Sequence, residues 1–226
     1  MRVLAIDTAL TGCAAAVLDT DSRAIIASET LTMQRGHAEA LVPLLARVIE
    51  HAGIEFADLG RIAVTVGPGS YTGLRVGIAA ARGIALVTGS PAVGLSTLAA
   101  LAAPHLAAGE SRSLVAAIDA RHGQVYFQIT GRDGRPLVTP RLATIEDAMR
   151  AIRARPCLIV GPGAELLAAA WRLGAERPGV DPRPYPDIDW VARLGALAEA
   201  GSAPPKPLYL RRPDARPQTA ARLPRQ

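Results

Sequence analysis

The sequence contains few cysteines and few aromatic residues for its length of 226 residues. Both cysteines, Cys13 and Cys157, lie in apolar runs, and a secreted disulfide-rich fold would need more of them. We therefore expect buried, unpaired thiols in a reducing compartment. Aromatic residues make up 4% of the chain, whereas hydrophobic residues make up 50%. Aliphatic side chains must build the core, which favours helices packed closely on a sheet over a thick β-sandwich.

Lysine is represented by Lys206 alone, and the formal net charge of +5 is concentrated at the C-terminus. Residues 211–226 contain five arginines and one aspartate, so they carry +4 and residues 1–210 carry +1. The body of the chain thus lacks the basic stripe that is typical of nucleic-acid-binding domains. We expect a solvated, proline-rich basic tail over 206–226, with an RNA-contacting arm as the alternative.

Long hydrophobic segments of the kind that span a membrane are also missing. Residues 83–104 contain no charge and are long enough to cross a bilayer, but glycine and proline at 88–91 break them into a helix end, a turn and new elements. A signal peptide needs a longer apolar segment near the N-terminus than this chain has, because Asp7 interrupts the apolar run after four residues. We expect a cytoplasmic protein without a membrane segment.

The alternation of apolar and turn-forming residues predicts an α/β protein with two similar halves. In the first half, the expected strands are 2–7, 13–18, 24–32 and 62–66, and the expected helices are 37–52 and 71–87. In the second half, the expected strands are 113–119, 124–130, 137–142 and 157–160, and the expected helices are 144–153, 164–173 and 190–200. Each half contains a strand, a Gly-Pro-Gly turn and a helix in succession, which indicates a duplicated architecture.

The order of meander, helix, strand and helix is that of one actin-like or RNase-H-like half, with a mixed sheet flanked by helices. We therefore predict an actin-like N-terminal subdomain over 1–103 and an actin-like C-terminal subdomain over 104–205. The tail over 206–226 follows them. The N-terminal subdomain would carry the helices that bind a partner.

The helices expected at 37–52 and 71–87 have more apolar surface than one sheet face can cover. The apolar stripe of the first helix spans roughly 200° of arc, and small residues on the second would let another helix approach closely. Exposed patches of this size usually mark interfaces, so we favour a partner chain over coverage by the second subdomain. The predicted partner contacts are Leu41, Leu44, Leu45, Val48, Gly73, Gly77, Ala80 and Ile84.

The sequence also predicts a nucleotide or anion site. An acidic residue and a hydroxyl follow the first strand, where they could meet phosphates and a metal, or the carboxylate could simply cap the turn. The glycine-rich turn over 67–73 offers backbone N–H groups for an anion, although it is not a P-loop, and it could instead only position the next helix. The candidate residues are Asp7, Thr8, Gly67, Gly69, Ser70 and Gly73.

Residue patterns for catalysis are missing. The four histidines form no HxxxH or HExxH spacing, and no serine lies in a G-x-S-x-G context. We predict no catalytic residue and no metal site. The alternative is an autonomous actin-like ATPase or kinase that binds nucleotide at Asp7 and the turn over 67–73.

Several segments resemble the TsaB (YeaZ) family. The matching segments, in order, are 3–9, 37–43, 67–77, 119–126 and 209–211. The sequence GPGSYTGLRVG at 67–77 is the most specific of them, whereas Gln124 replaces the glutamate that the family usually has. The resemblance covers nearly the whole chain and implies an actin-like fold of two subdomains.

The resemblance also implies membership in the bacterial complex that forms threonylcarbamoyladenosine in tRNA, at the adenosine that follows the anticodon. In that complex the paralogue TsaD transfers the threonylcarbamoyl group, TsaE is an accessory ATPase, and TsaB pairs with TsaD through its first two helices. Those helices correspond here to 37–52 and 71–87. We expect a TsaD-like and a TsaE-like partner, a homodimer when the chain is alone, and tRNA contact only through the complex.

The departures from TsaD predict that this chain is not itself the transferase. TsaD has a pair of metal-binding histidines, whereas the comparable stretch over 96–108 offers only His105. The nucleotide loop of TsaD is represented only by residues 160–164, where proline stiffens the turn. Without a ligand pair, the chain cannot activate an adenylate in the way of its paralogue. We expect a scaffold with no cofactor of its own, ATP and the metal ion belonging to the partner subunits.

Overall fold

The computed structural model describes residues 1–152, 156–171, 177–199, 201 and 203–211, which form two five-stranded sheets flanked by helices. The strands are β1 (Arg2–Asp7), β2 (Gly12–Asp19), β3 (Ala24–Thr32), β4 (Leu59–Gly67), β5 (Ala92–Ser96), β6 (Ser113–Asp119), β7 (Gln124–Thr130), β8 (Pro136–Thr144), β9 (Cys157–Val160) and β10 (Gly179–Asp181). The helices are α1 (His37–His51), α2 (Tyr71–Thr88), α3 (Thr97–Ala107), α4 (Ile145–Ile152), α5 (Ala164–Ala169) and α6 (Ile188–Leu197).

Both sheets follow one topology. The strand order is β3-β2-β1-β4-β5 in the first sheet and β8-β7-β6-β9-β10 in the second. In each sheet the three meander strands pair antiparallel, and the next two strands are added in parallel. The predicted α/β class with two similar halves is confirmed. The expected strands give no range for β5, which lies in the uncharged stretch 83–104, and they miss β10, whose three residues in a proline-rich stretch show no periodicity.

The third helix of each half packs on the sheet of the other half. Leu98 and Leu101 of α3 join a core cluster with β6 and β9 of the second sheet. Conversely, Val191 and Ala192 of α6 pack on β1 and β4 of the first sheet. The predicted subdomain boundary between 103 and 104 therefore falls inside α3, and α6 lies with the first sheet although it belongs to the predicted segment 104–205. Residues 212–226 of the predicted tail lie outside the described residues.

The central strand β1 is buried on both faces. Leu4 and Ile6 pack towards α1 and α2, whereas Val3 and Ala5 pack towards α6. All four side chains are 0% exposed, which explains the continuous apolar run in the sequence. The turn that follows β1 is thereby held firmly beneath the start of α2, where the candidate site lies.

The structure bears on the expected buried thiols and on the expected lack of a membrane segment. Cys13 and Cys157 are buried and unpaired, which confirms the expected buried thiols. Burial raises the pKa of each thiol to about 11, so both stay protonated at neutral pH. None of the helices in the described part of the chain is both long and apolar enough to cross a membrane.

Candidate functional site

Helices α1 and α2 pack on the same face of the first sheet and share one core cluster. α1 follows Gly36, whose positive φ of 90° turns the chain into the helix. α2 is capped by Ser70, whose Oγ accepts a hydrogen bond of 3.3 Å from the Gly73 backbone N–H. At its other end, Gly89 adopts the left-handed conformation common at helix C-termini. Ser70 is thus a helix cap, which agrees with the alternative that the turn over 67–73 positions the next helix.

The four α1 residues predicted to contact a partner are instead buried in the core of the chain. Leu41, Leu44, Leu45 and Val48 are each at most 3% exposed, and they pack in the cluster that contains Leu4. Their assignment to the partner surface is therefore corrected. The physical reason is that α1 has apolar residues at several registers, and periodicity alone does not say which stripe meets the sheet.

The two glycines predicted to contact a partner helix lie against the turn after β1. A Cβ at Gly73 would lie 2.1 Å from the Thr8 carbonyl oxygen, and one at Gly77 would lie 2.4 Å from Thr8 Oγ1. These glycines allow α2 to approach its own domain closely, which corrects their assignment as well. Ala80 and Ile84 are partly exposed and stay predicted contacts.

A second apolar stripe on each helix is exposed instead. On α1 the stripe contains residues 38, 42 and 46, which are four apart, and residue 43 beside them. On α2 residues 79, 86 and 87 lie three or four positions from residue 83. We define the α1–α2 face as the exposed residues Ala38, Val42, Pro43, Ala46, Ala79, Gly83, Leu86 and Val87. Val42 is 67% exposed, and Leu86 and Val87 are each 86% exposed. Large apolar side chains so open to solvent are the usual mark of an interaction surface.

The carboxyl group of Asp7 is completely buried at the end of β1. Its Oδ1 accepts hydrogen bonds from the Ala9 backbone N–H, at 3.2 Å, and from the Thr65 hydroxyl. Oδ2 has no hydrogen-bond partner within the described residues. Burial raises the pKa of Asp7 to about 6, against the lowering effect of the two hydrogen bonds. The bond to Ala9 is that of a carboxylate capping its own turn.

The glycine-rich loop before α2 is closed onto the turn after β1. The Thr8 hydroxyl donates to the Gly73 carbonyl at 2.7 Å, and the Ser70 backbone N–H donates to the Ala9 carbonyl at 2.8 Å. A Cβ at Gly69 would lie only 2.3 Å from that same Ala9 oxygen. Since two backbone segments touch where a phosphate would have to lie, the residues present do not fit a nucleotide in this arrangement. The glycines, including Gly67 with its φ of 117°, serve the loop's close packing.

An aromatic and cationic cluster lies beside this loop, at the start of α2. The rings of Tyr71 and Tyr209 stack with centroids 5.3 Å apart, and the Arg75 guanidinium carbon lies 4.0 Å from the Tyr71 centroid. Arg75 Nε also donates to the Tyr209 hydroxyl at 3.1 Å. Together with Tyr126 of β7 and Arg211, these side chains line a cavity of about 390 Å³. We call this cavity the tyrosine–arginine pocket.

The pocket exists because residues 203–211, here called the C-terminal strap, are docked on the first sheet. The Leu208 backbone N–H donates to the Val66 carbonyl, and the Gly94 backbone N–H donates to the Ala203 carbonyl, both at 2.7 Å. Arg82 on α2 donates to the Pro205 carbonyl at 2.6 Å. The first part of the predicted solvated tail, from 206 to 211, is therefore packed on the body, which corrects that prediction. Sequence reasoning missed this cluster, since contacts between 66 and 208 leave no local pattern.

His37 and His105 take part in structural contacts. The buried His37 has its Nε2 3.0 Å from the Leu10 carbonyl oxygen. His105 lies 2.8 Å from Asp181, which also binds Arg183. In the ranges that the structure describes, no three His, Cys, Asp or Glu side chains are grouped so that they could hold a metal ion.

Comparison with known proteins gives the same family at the level of sequence and fold. A model of the TsaD family, described as tRNA N6-adenosine threonylcarbamoyltransferase, matches residues 25–154. The TsaB protein of Escherichia coli is 35% identical over 133 residues, which are 59% of this chain and 56% of that protein. The TsaB protein of Buchnera aphidicola is 30% identical over 168 residues, which are 71% of this chain and 78% of that protein.

Solved structures agree with this relationship. YeaZ from Pseudomonas aeruginosa superimposes with a TM-score of 0.76 at 25% identity, over 92% of this chain and 99% of that one. A hexokinase from Thermus thermophilus superimposes with a TM-score of 0.50 at 17% identity, over 87% of this chain and 99% of that one, which concerns the fold alone. The predicted actin-like architecture is thereby confirmed. The chain belongs to the TsaB (YeaZ) family, within the wider TsaD-like group.

Proposed function

We propose that this chain is a non-catalytic subunit in tRNA threonylcarbamoyladenosine biosynthesis and that it binds a TsaD-like catalytic paralogue through the α1–α2 face. The observation that carries the proposal is the exposure of Val42, Leu86 and Val87 on two neighbouring helices. Full burial of a side chain of this size contributes about 1.5–3 kcal/mol. A matching helix pair on a paralogue of the same fold is a natural occupant, because it would present the same kind of surface.

In this proposal the chain acts by holding its partner in an active conformation. A TsaE-like ATPase and the tRNA join through the complex, and ATP and the metal ion belong to the partner subunits. Without the partner, the α1–α2 face would bury itself against a second copy, since a self-complementary patch closes a symmetric dimer. The work takes place in the cytoplasm, where tRNA is modified.

The closed loop supports the non-catalytic part of the proposal. Asp7 occupies the place of a nucleotide-binding carboxylate but has no exposed surface, and Gly69 and Gly73 touch the turn that follows it. The chain's own residues therefore hold this loop shut instead of cradling a phosphate. An autonomous ATPase would need the loop to open. Calorimetry with ATP and magnesium tests that alternative, and micromolar binding that Asp7→Ala abolishes would favour it.

The proposed pairing is tested by Leu86→Arg, with Leu197→Arg as its matched control. Leu86 is 86% exposed and Leu197, on α6, is 82% exposed, so neither arginine has to be buried in the chain. We expect Leu86→Arg to abolish co-purification with the TsaD-like partner and to abolish tRNA modification by the reconstituted complex. Leu197→Arg should leave both intact.

Two outcomes would contradict the pairing surface: unchanged co-purification of Leu86→Arg, or equal loss in Leu197→Arg. Circular dichroism of both variants verifies that the fold is retained. Leu45→Arg is not a suitable test, because Leu45 is 3% exposed and a buried arginine would unfold α1.

A further inference from the structure

The tyrosine–arginine pocket has the dimensions and chemistry of a binding site that the proposed pairing does not use. Its volume of about 390 Å³ lies within the range of small-ligand pockets and holds about one nucleotide. It joins both halves of the chain, since Tyr71 begins α2 and Tyr126 lies on β7. Tyr71 and Tyr209 are 54% and 44% exposed although they stack on each other, so part of each ring stays open to a ligand.

The aromatic rings of the pocket indicate a planar ligand. Three of its lining residues are tyrosines, half of all the tyrosines and phenylalanines in the sequence. Aromatic side chains and arginine planes are the surfaces on which unpaired nucleobases stack. A base in a duplex is already stacked on its neighbours, so a pocket of this kind selects an unpaired one.

The charge of this region is entirely positive over a long stretch of sequence. Between Asp58 and Glu110 there is no acidic residue, and the charged residues are Arg61, Arg75 and Arg82. Of the lining residues that the structure describes, none is acidic, whereas Arg75 and Arg211 are basic. The hydrogen bond to Tyr209 raises the pKa of Arg75, which keeps it charged at any physiological pH. Guanidinium groups are well suited to phosphate, so the complementary ligand is anionic as well as planar.

We infer that the tyrosine–arginine pocket binds one unpaired nucleotide of a single-stranded RNA segment, with the base against the tyrosines and the flanking phosphates near Arg75 and Arg211. An RNA strand is favoured over a free nucleotide because two arginines, Arg75 and Arg211, line the pocket, and because residues 212–226, which continue the chain beyond it, add three net positive charges. It is favoured over an acidic peptide because carboxylates would use the arginines but not three tyrosine rings. The inference rests on the proposed function, in which tRNA is the substrate.

The pocket lies at the start of α2 and the most exposed part of the α1–α2 face at its end, whereas Ala79, the α2 member of the face nearest to Tyr71, is eight residues or about 12 Å along the helix from it. Tyr71 and Leu86 are separated by fifteen residues of α2, or about 22 Å at 1.5 Å per residue. RNA bound at the start of α2 would therefore not displace a protein bound at its end. This separation also allows the two functions to be tested by different variants.

Fluorescence anisotropy of the full chain with a labelled ten-nucleotide single-stranded RNA measures the binding directly. Tyr71→Leu keeps an apolar side chain but loses the stacking ring, and we expect about tenfold weaker binding. Arg75→Gln should weaken binding severalfold and make the salt dependence shallower by about 0.7 in log K against log salt. The matched control is Arg193→Gln, since the Arg193 guanidinium also lies near an aromatic ring, 5.7 Å from the Trp190 centroid, but on α6, which packs on the other face of the first sheet from α2. It should bind like the unmodified chain.

Crosslinking distinguishes the pocket from the arginine-rich tail. With 4-thiouridine in the RNA, we expect crosslinks to Tyr71, Tyr126 or Tyr209 that are lost when Tyr71→Leu is used. Crosslinks confined to residues 212–226 would overturn the inference. So would unchanged affinity of both pocket variants, equal affinity for duplex RNA, equal affinity for free AMP or UMP, or full displacement by a polyglutamate peptide.

Failure of the inference and failure of the proposed function give different results. Leu86→Arg should lose the protein partner while its affinity for the ten-nucleotide RNA stays unchanged. If the pocket variants bind RNA normally but pairing still depends on Leu86, the proposed function stands and the RNA site does not.

Discussion

The two halves of the molecule share one topology but treat the same position differently. β1 and β6 are equivalent central strands, and each ends in an aspartate. Asp7 is fully buried under a closed loop, whereas the side chain of Asp119 is 37% exposed and lies 3.7 Å from Arg121. In both halves the carboxylate accepts a hydrogen bond from the backbone N–H two residues further on, at 3.2 Å for Asp7 and 2.7 Å for Asp119. In the first half the buried carboxylate also accepts a hydrogen bond from the Thr65 hydroxyl of β4.

The helices of the two halves differ in length. α1 and α2 have 15 and 18 residues, whereas their counterparts α4 and α5 have 8 and 6 within the part of the chain that the structure describes. Leu86 and Val87 lie in the additional turns of α2, and the shorter α5 has no residues at equivalent positions. The proposed partner surface thus includes turns of α2 that α5 lacks. Changes at equivalent positions should therefore have unequal effects.

The largest inequality is expected for the two aspartates. Because the pKa of Asp7 is raised from 3.8 to about 6, the folded chain binds the extra proton between these values, and the free energy of unfolding falls as pH rises through this window. At about 1.4 kcal/mol per pKa unit, the penalty above pH 6 is about 3 kcal/mol. Asp7→Asn should thus be more stable at pH 7 by about that amount and similar in stability at pH 4. Urea unfolding at both pH values measures this.

Asp119→Asn is the matched control for that experiment. Its carboxylate is partly exposed and its ion pair with Arg121 lies at the surface, so the change should be less than about 1 kcal/mol at either pH. Parallel pH profiles for Asp7→Asn and the unmodified chain would refute the buried, proton-binding state of Asp7.

A somewhat smaller inequality is expected for the loop glycines. A Cβ at Gly69 would lie 2.3 Å from a backbone oxygen, whereas one at Gly163 in the second half would lie 3.0 Å from its nearest backbone atoms. Gly69→Ala should lower the free energy of unfolding by about 2–3 kcal/mol and Gly163→Ala by about 1 kcal/mol. Gly83→Ala, with open space around it, should instead add up to about 1 kcal/mol. Thermal unfolding of the three variants ranks their stabilities. A larger loss for Gly163→Ala than for Gly69→Ala would contradict the expected difference between the two loops.

The smallest difference in stability is expected for the side chains that hold α3 and α6, the two helices that pack on the sheet of the other half. Arg61 donates to the carbonyls of Gly195, Ala196 and Ala198 at the end of α6, at 3.0, 2.9 and 2.5 Å. Arg61→Met should cost about 2 kcal/mol, because it leaves the last carbonyls of the helix without a donor. The counterpart on α3 is His105, whose pairing with Asp181 is partly exposed. His105→Leu should cost about 1 kcal/mol, and denaturant unfolding that finds equal losses would contradict the difference.

The sequence predicts most of the local structure because strands and helices leave periodic patterns. The meander, α1, α2 and the Gly-Pro-Gly turns follow from residues close together in the chain. The buried position of Leu45 and the exposed position of Val42 do not, since both are apolar and only the placement of the sheet distinguishes them.

The candidate site is less predictable for the same reason. Ser70 as a cap is a local property, but the contact of Gly73 with Thr8 joins residues 65 positions apart. The stacking of Tyr71 on Tyr209 joins even more distant ones. Pairs of this kind are set by the tertiary fold and have no signal in spacing or composition.

The exchange of α3 and α6 has a consequence for how the chain is made. The first sheet needs α6 to cover the face that carries Val3 and Ala5, and Gly195 of that helix meets Ala63 so closely that a Cβ would lie 2.2 Å from its methyl group. On the ribosome, every strand of that sheet has emerged long before Ile188 is synthesised. The apolar face of the first sheet therefore stays exposed to solvent until α6 has been synthesised. Neither half can complete its folding by itself.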